Sequence, residues 1–156
     1  MERKTKVQAD EGRHDLHITR EFDLPVELLF QAYIDPEIVE QWMGTKVLKL
    51  ESKVHGSFQF ETTDPQGNKH RFNGTIHAFS PNSKITRTFE FEKMPFGVQL
   101  EVLEFAKLTD STSKLTIHTI FESIEQRDQM LKMPFAQGLN MAHDRLQNML
   151  TQRLKK

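Results

Sequence analysis

The chain of 156 residues carries 21 basic and 22 acidic side chains, a formal net charge of −1, so no global field draws it to nucleic acid or to an anionic membrane surface. Its length suits one domain that buries roughly 68–70% of its unfolded surface, and the absence of cysteine excludes disulfides, thiolate nucleophiles and cysteine-based zinc sites. No apolar run has the length of a secretory signal or a membrane span, so no membrane insertion is expected and a cytoplasmic location is the default. Residues 1–13 are polar and of mixed charge and read as a flexible N-terminal leader; residues 14–156 read as a single domain. Residues 14–22 alternate, with Leu16, Ile18 and Phe22 on one side and His17, Thr19 and Glu21 on the other, which is strand periodicity. Arg20 shares the apolar side, its long stem expected to reach out at the sheet edge. Asp23, two residues before Pro25, is placed to cap a helix over residues 26–34 whose apolar positions Val26, Leu29, Phe30 and Tyr33 recur at helical spacing. Asp35-Pro36 ends that helix and starts a second short one, which stops at Gly44.

From Thr45 the period changes to two. Strands are predicted at residues 47–50, 57–62, 69–79, 85–91, 98–108 and 115–121, joined by polar turns such as Asp64-Pro65-Gln66-Gly67-Asn68 and Met94-Pro95-Phe96-Gly97. Successive strands on short turns demand an antiparallel meander. Gly74 inside a strand marks a bend or a close approach. From Ser123 the pattern is helical to the end. Ser123 with Gln126 makes a capping-box candidate, Met133-Pro134 should interrupt the helix, and Leu139, Ala142, Leu146, Met149 and Leu150 form its apolar stripe. Only this terminal helix is long enough to cover the concave face of such a sheet.

The chain resembles the Hsp90-ATPase-activator-homologue-like (AHSA1-like) branch of the START/Bet v 1-like (SRPBCC) superfamily. The likeness rests on Arg20-Glu21-Phe22-Asp23-Leu24-Pro25-Val26 with Phe30, on Asp35-Pro36 and on Gln41-Trp42-Met43-Gly44. It continues in Gly56 with Phe58, Gly67, Phe72-Asn73-Gly74, and Gly138 with Leu146 and Leu150, and covers about residues 14–151. The resemblance implies an α+β helix-grip fold: a curved antiparallel sheet of six to seven strands wrapped on a long C-terminal helix, with two short helices after the first strand. Two departures stand out. The aromatic usual after Trp42 is missing, and Leu139 replaces the tryptophan usual after Gly138, which would enlarge or reshape one end of a cavity.

Twelve phenylalanines and seven methionines accompany one tyrosine and one tryptophan. Phe58, Phe60, Phe72, Ile76 and Phe89 fall on strand faces that should point at the terminal helix, as cavity lining or as ordinary packed core. Met133, Phe135 and Leu139 lie near the helix break, which in the family borders the pocket mouth. Trp42 either closes the pocket and donates its indole N–H to a ligand or anchors its short helix on the sheet. Arg87 shares strand parity with Ile85, Phe89 and Phe91, and a hairpin centred on Met94–Gly97 would set Glu104 beside it, as a ligand-orienting pair or as a structural salt bridge. The seven histidines show no metal-ligand spacing, and neither a metal nor another cofactor is expected. His17 and His118 become outer-face neighbours if the first and last strands pair, and read as solvated residues. No nucleophile elbow or phosphate loop occurs. The leading expectation is therefore binding of a small hydrophobic or amphipathic molecule. The alternatives are a module that contacts an Hsp90-type chaperone and a polyketide cyclase-like enzyme.

Overall fold

The computed structural model describes residues 4–155. Among these described residues eight strands form one sheet: β1 (Lys6–Gln8), β2 (Asp15–Phe22), β3 (Lys46–Leu50), β4 (Ser57–Thr63), β5 (Lys69–Ser80), β6 (Lys84–Phe91), β7 (Val98–Lys107) and β8 (Ser113–Ile120). Four helices complete the domain: α1 (Val26–Ile34), α2 (Pro36–Met43), α3 (Ile124–Leu131) and α4 (Phe135–Leu154). The strand order is β1-β2-β8-β7-β6-β5-β4-β3, every neighbour antiparallel. The fold is α+β of the helix-grip kind, with the curved sheet wrapped on α4.

The eighth strand lies in the segment expected to be a flexible leader. Lys6, Val7 and Gln8 pair with Thr19, Ile18 and His17, so the free edge of β2 is covered. Residues 1–3 of that leader lie outside the described residues. The hairpin also changes the place of Arg20. It does not reach out to solvent but lies buried, its guanidinium bonded to Thr5 Oγ1 and to Asn140 and Asp144 of α4.

Local signals explain most boundaries. Asp35 Oδ1 accepts from Glu37 N–H at the start of α2, Pro36 follows, and Gly44 ends the helix in the left-handed region at φ 64°. Asp23 does not cap α1; Pro25 stands at the N-cap without a side-chain bond, and the Asp23 amide instead donates to Gln147 Oε1 of α4. Ser123 caps α3 by accepting from Gln126 N–H, while the Gln126 side chain meets the serine hydroxyl rather than the backbone, so the box is half formed. The helix breaks at Met133-Pro134 as proline requires. Gly74 pairs with Phe58 where the backbone of Thr88 and the Phe58 ring leave no room for a Cβ. One core runs through the domain, with Leu146 and Leu150 of α4 completely buried against it.

Candidate ligand cavity

The inward faces of β2, β4, β5, β6, β7 and β8, with α1, α2 and the first turns of α4, line a cavity of about 510 Å³ that is open to solvent on one side. Aromatic side chains from three adjacent strands make one wall: ring centroids lie 5.2 Å apart for Phe60 and Phe72, 5.0 Å for Phe72 and Phe89, and 5.0 Å for Phe89 and Phe91. Leu16, Ile18, Ile117 and Phe121 form the floor, and Phe135, Gly138, Leu139 and Ala142 of α4 form the roof. A second hollow of about 300 Å³ shares Phe91, Met130, Pro134 and Phe135 with the first and continues toward Met94, Phe96 and Met133. The break between α3 and α4 therefore stands at the junction of the two.

Polar groups are concentrated on one side of this apolar chamber. Arg87 Nε donates to Glu101 Oε1 at 2.9 Å, both side chains at most 15% exposed. The guanidinium carbon sits 5.0 Å from the Phe58 ring centroid and 6.0 Å from that of Phe89, so the cation is held over two ring faces as well as by the carboxylate. Gln99 and Thr119, both buried, complete the cluster, with Gln99 Nε2 donating to Met130 Sδ at 3.6 Å. Tyr33 also lines the chamber. Burial pushes its phenol pKa up; Arg87 lowers it and Glu101 raises it, so the hydroxyl stays protonated at neutral pH. It lies 3.4 Å from His143 Nε2, whose own pKa is pushed down to about 3 by burial and by the Arg20 charge.

The expected partner of Arg87 is corrected. A turn centred on Met94–Gly97 would pair Arg87 with Glu104, but the ladder sets Glu90 opposite Val98 and Arg87 opposite Glu101. The displacement of three residues puts Glu104 on the outer face, opposite Lys84. Of the other residues singled out from sequence, Trp42, Phe60, Phe72, Arg87, Phe89, Phe135 and Leu139 line the cavity. Phe58 and Ile76 do not: both are buried, Phe58 beneath the Arg87 guanidinium and against Gly74. Met133 is exposed and borders only the smaller hollow. The Trp42 indole N–H is committed to the Ala32 carbonyl at 2.7 Å, so it anchors α2 onto α1 while the ring face remains part of the wall. Gln99, Thr119, Tyr33 and Glu101 also line the cavity, where the sequence alone does not place them. The parity of Leu103 and Phe105 would have placed Gln99 and Glu101 inward, but Val98, Leu100 and Val102 offer an equally apolar opposite face.

A curved sheet gripping a C-terminal helix around a largely apolar chamber defines a START/Bet v 1-like helix-grip protein. Residues 23–151 match the family described as activator of Hsp90 ATPase homolog 1-like protein, and the chain belongs to that family. No curated protein matches it. Solved structures share the fold over nearly its whole length. Protein Ms6760 from Mycobacterium smegmatis is 25% identical with a TM-score of 0.85, covering 94% of this chain and 96% of its own. A protein from Arthrobacter aurescens is 23% identical with a TM-score of 0.85 over 94% and 91%, and one from Rhodobacter sphaeroides is 20% identical with a TM-score of 0.83 over 94% and 99%.

Proposed function

We propose that the chain binds a small hydrophobic or amphipathic molecule in the cavity between the sheet and α4, its apolar body against the Phe60–Phe72–Phe89 wall and its polar end at Arg87 and Glu101. The observation that carries this reading is the pairing of an apolar chamber of about 510 Å³ with a single ion pair in its wall, within the usual size and make-up of small-molecule sites. The pair matters to the chemistry of the ligand. Cation and anion already neutralise one another, so a neutral polar end, such as a hydroxyl, carbonyl or amide, is favoured over a second charge.

The test is native mass spectrometry of the protein from its own cells, followed by titration of a lipid and aromatic panel against wild type and Leu139→Trp. A reproducible small-molecule adduct and at least tenfold weaker binding by Leu139→Trp, whose indole would enter the chamber, are expected. A clean apo mass together with no binding from the panel overturns the reading. The family description supports a second reading, contact with an Hsp90-type chaperone; a rise in that chaperone's ATPase rate on adding this chain is its signature.

A further inference from the structure

On the outer face of the sheet, behind the cavity floor, β2 and β8 bring two histidines and an aspartate together. His17 and His118 are direct cross-strand partners, and their rings stack with centroids 4.2 Å apart and planes 7° from parallel. Asp15 Oδ2 lies 2.8 Å from His118 Nε2 and 3.9 Å from His17 Nε2. The donor atoms of all three side chains fall within 4.8 Å of one another. We propose that Asp15 Oδ2, His17 Nε2 and His118 Nε2 form a binding site for a divalent transition-metal ion of the zinc or nickel kind.

The backbone can stay in place, but the two imidazoles must turn out of their parallel stack, because the in-plane lone pairs of parallel rings cannot both point at one ion. Metal–ligand bonds of about 2.0–2.1 Å at tetrahedral angles set donor atoms roughly 3.3–3.4 Å apart, and the two separations at Asp15 bracket that value. Two imidazole nitrogens and one carboxylate oxygen select a borderline ion over the hard cations calcium and magnesium, which take oxygen ligands. The strands supply rigidity: His17 and His118 project from adjacent central positions of one ladder, so neither depends on a loop for its place. Access is also present. His17 and His118 are 47% and 35% exposed while Asp15 is 8% exposed, and Asp15 and His17 border an open hollow of about 350 Å³ floored by Thr19 and Thr116.

Arg13 is the group that the ion must contend with. Its Nε donates to Asp15 Oδ1 at 2.8 Å and its Nη2 to Oδ2 at 2.9 Å. When the ion takes Oδ2, the Nη2 bond is given up while the Nε bond to Oδ1 can persist and orient the carboxylate, the usual work of an outer-shell partner. The hydrogen that His118 Nε2 now directs at Asp15 moves to Nδ1, leaving the Nε2 lone pair for the metal. Arg13 is largely exposed and can swing aside, but its charge opposes the cation. The site therefore makes a sign-specific prediction: removing Arg13 strengthens binding although it removes a partner of a ligand. Because Leu16, Ile18, Ile117 and Thr119 alternate with these residues and line the cavity, a bound ion would clip together the two strands that form its floor.

The experiment is isothermal titration of untagged, chelator-treated and desalted protein with zinc chloride and with nickel chloride, alongside histidine-ring NMR spectra. One ion per chain, with the ring signals of His17 and His118 perturbed, is the expected result. His17→Gln and His118→Gln, both at surface positions, should each weaken binding at least tenfold, Arg13→Gln should strengthen it, and the control pair His55→Gln with His77→Gln should leave it unchanged. Apo melting temperatures confirm that each variant is folded. Absence of binding at millimolar ion, or binding unaffected in the His17→Gln/His118→Gln double variant, overturns the proposal.

Discussion

His143 sits in α4 with no exposed surface, its Nδ1 2.7 Å from Thr5 Oγ1 and its Nε2 facing the Tyr33 hydroxyl. Phe22 meets the ring edge-on from β2, Trp42 packs against it at a tilt from α2, and the charge that acts on it is Arg20, itself paired with Asp144. Burial first and Arg20 second push its pKa down to about 3, against an ordinary value of 6.5. The native state therefore holds this imidazole neutral at a pH where the unfolded chain protonates it. The stability so conferred is complete above pH 6.5 and is lost as pH falls from there toward 3. One pH unit corresponds to about 1.4 kcal/mol, and the loss between pH 7.5 and pH 5.0 comes to about 2 kcal/mol. The carboxylates whose pKa values are lowered, among them Asp15, Glu61 and Glu92, lose their contribution only at lower pH, near and below their unfolded values. Urea unfolding of wild type and His143→Gln at pH 7.5, 6.5, 5.75 and 5.0 isolates the effect. Wild type should lose about 2 kcal/mol more than the variant across this range, whatever the offset between them at pH 7.5. Parallel losses, or an NMR titration midpoint for His143 near that of a free histidine, would refute the argument.

Two glycines give opposite predictions from the same substitution. Gly74→Ala drives a methyl group into the Thr88 carbonyl and the Phe58 ring, and should cost about 3 kcal/mol in urea unfolding, at the upper end for overpacking; a loss below about 1 kcal/mol would mean that the sheet relaxes freely there. Gly138→Ala meets nothing within 4 Å and relieves a helix of its glycine, so a gain of about 0.5–1 kcal/mol is expected, and a fall in melting temperature would contradict the open space beside it.

What could be read from sequence depended on whether a residue's signal was local. The two helices after the first long strand, the break at Pro134 and the close approach at Gly74 follow from proline geometry, helical spacing and a missing Cβ, all properties of a few neighbouring residues. The edge strand β1 has only three residues, Lys6–Gln8, in a charged setting, and its pairing is decided by the exposed edge of β2 rather than by its own composition. Arg20 reads as an apolar-face anomaly in the strand, and the partners of its two terminal nitrogens on α4, Asn140 and Asp144, lie more than a hundred residues away. The same holds for His143 and for the Arg87–Glu101 pair: long-range register decides the partner, and an odd displacement reverses the face. The aromatic wall was legible because Phe60, Phe72 and Phe89 repeat the strand period, whereas Phe58 and Ile76 carry the same signal and yet pack solidly, since periodicity reports the face and not the free space in front of it.

That free space has an energetic consequence. A sealed void of about 510 Å³ would, at roughly 24 cal/mol per Å³, cost about 12 kcal/mol, as much as the whole stability of an ordinary domain. A chamber of this size is sustainable only if it is filled or communicates with solvent, and here it adjoins a second hollow at the α3–α4 junction. Water can bond to Arg87, Glu101, Gln99 and Thr119, but against the phenylalanine wall it finds no partners. The two halves of the lining thus pull differently on solvent: the polar side holds it and the apolar side gains when it leaves. The proposed ligand, with one polar end, would satisfy both at once, and Leu139, slimmer than the tryptophan that the family resemblance leads one to expect, would leave room for its body.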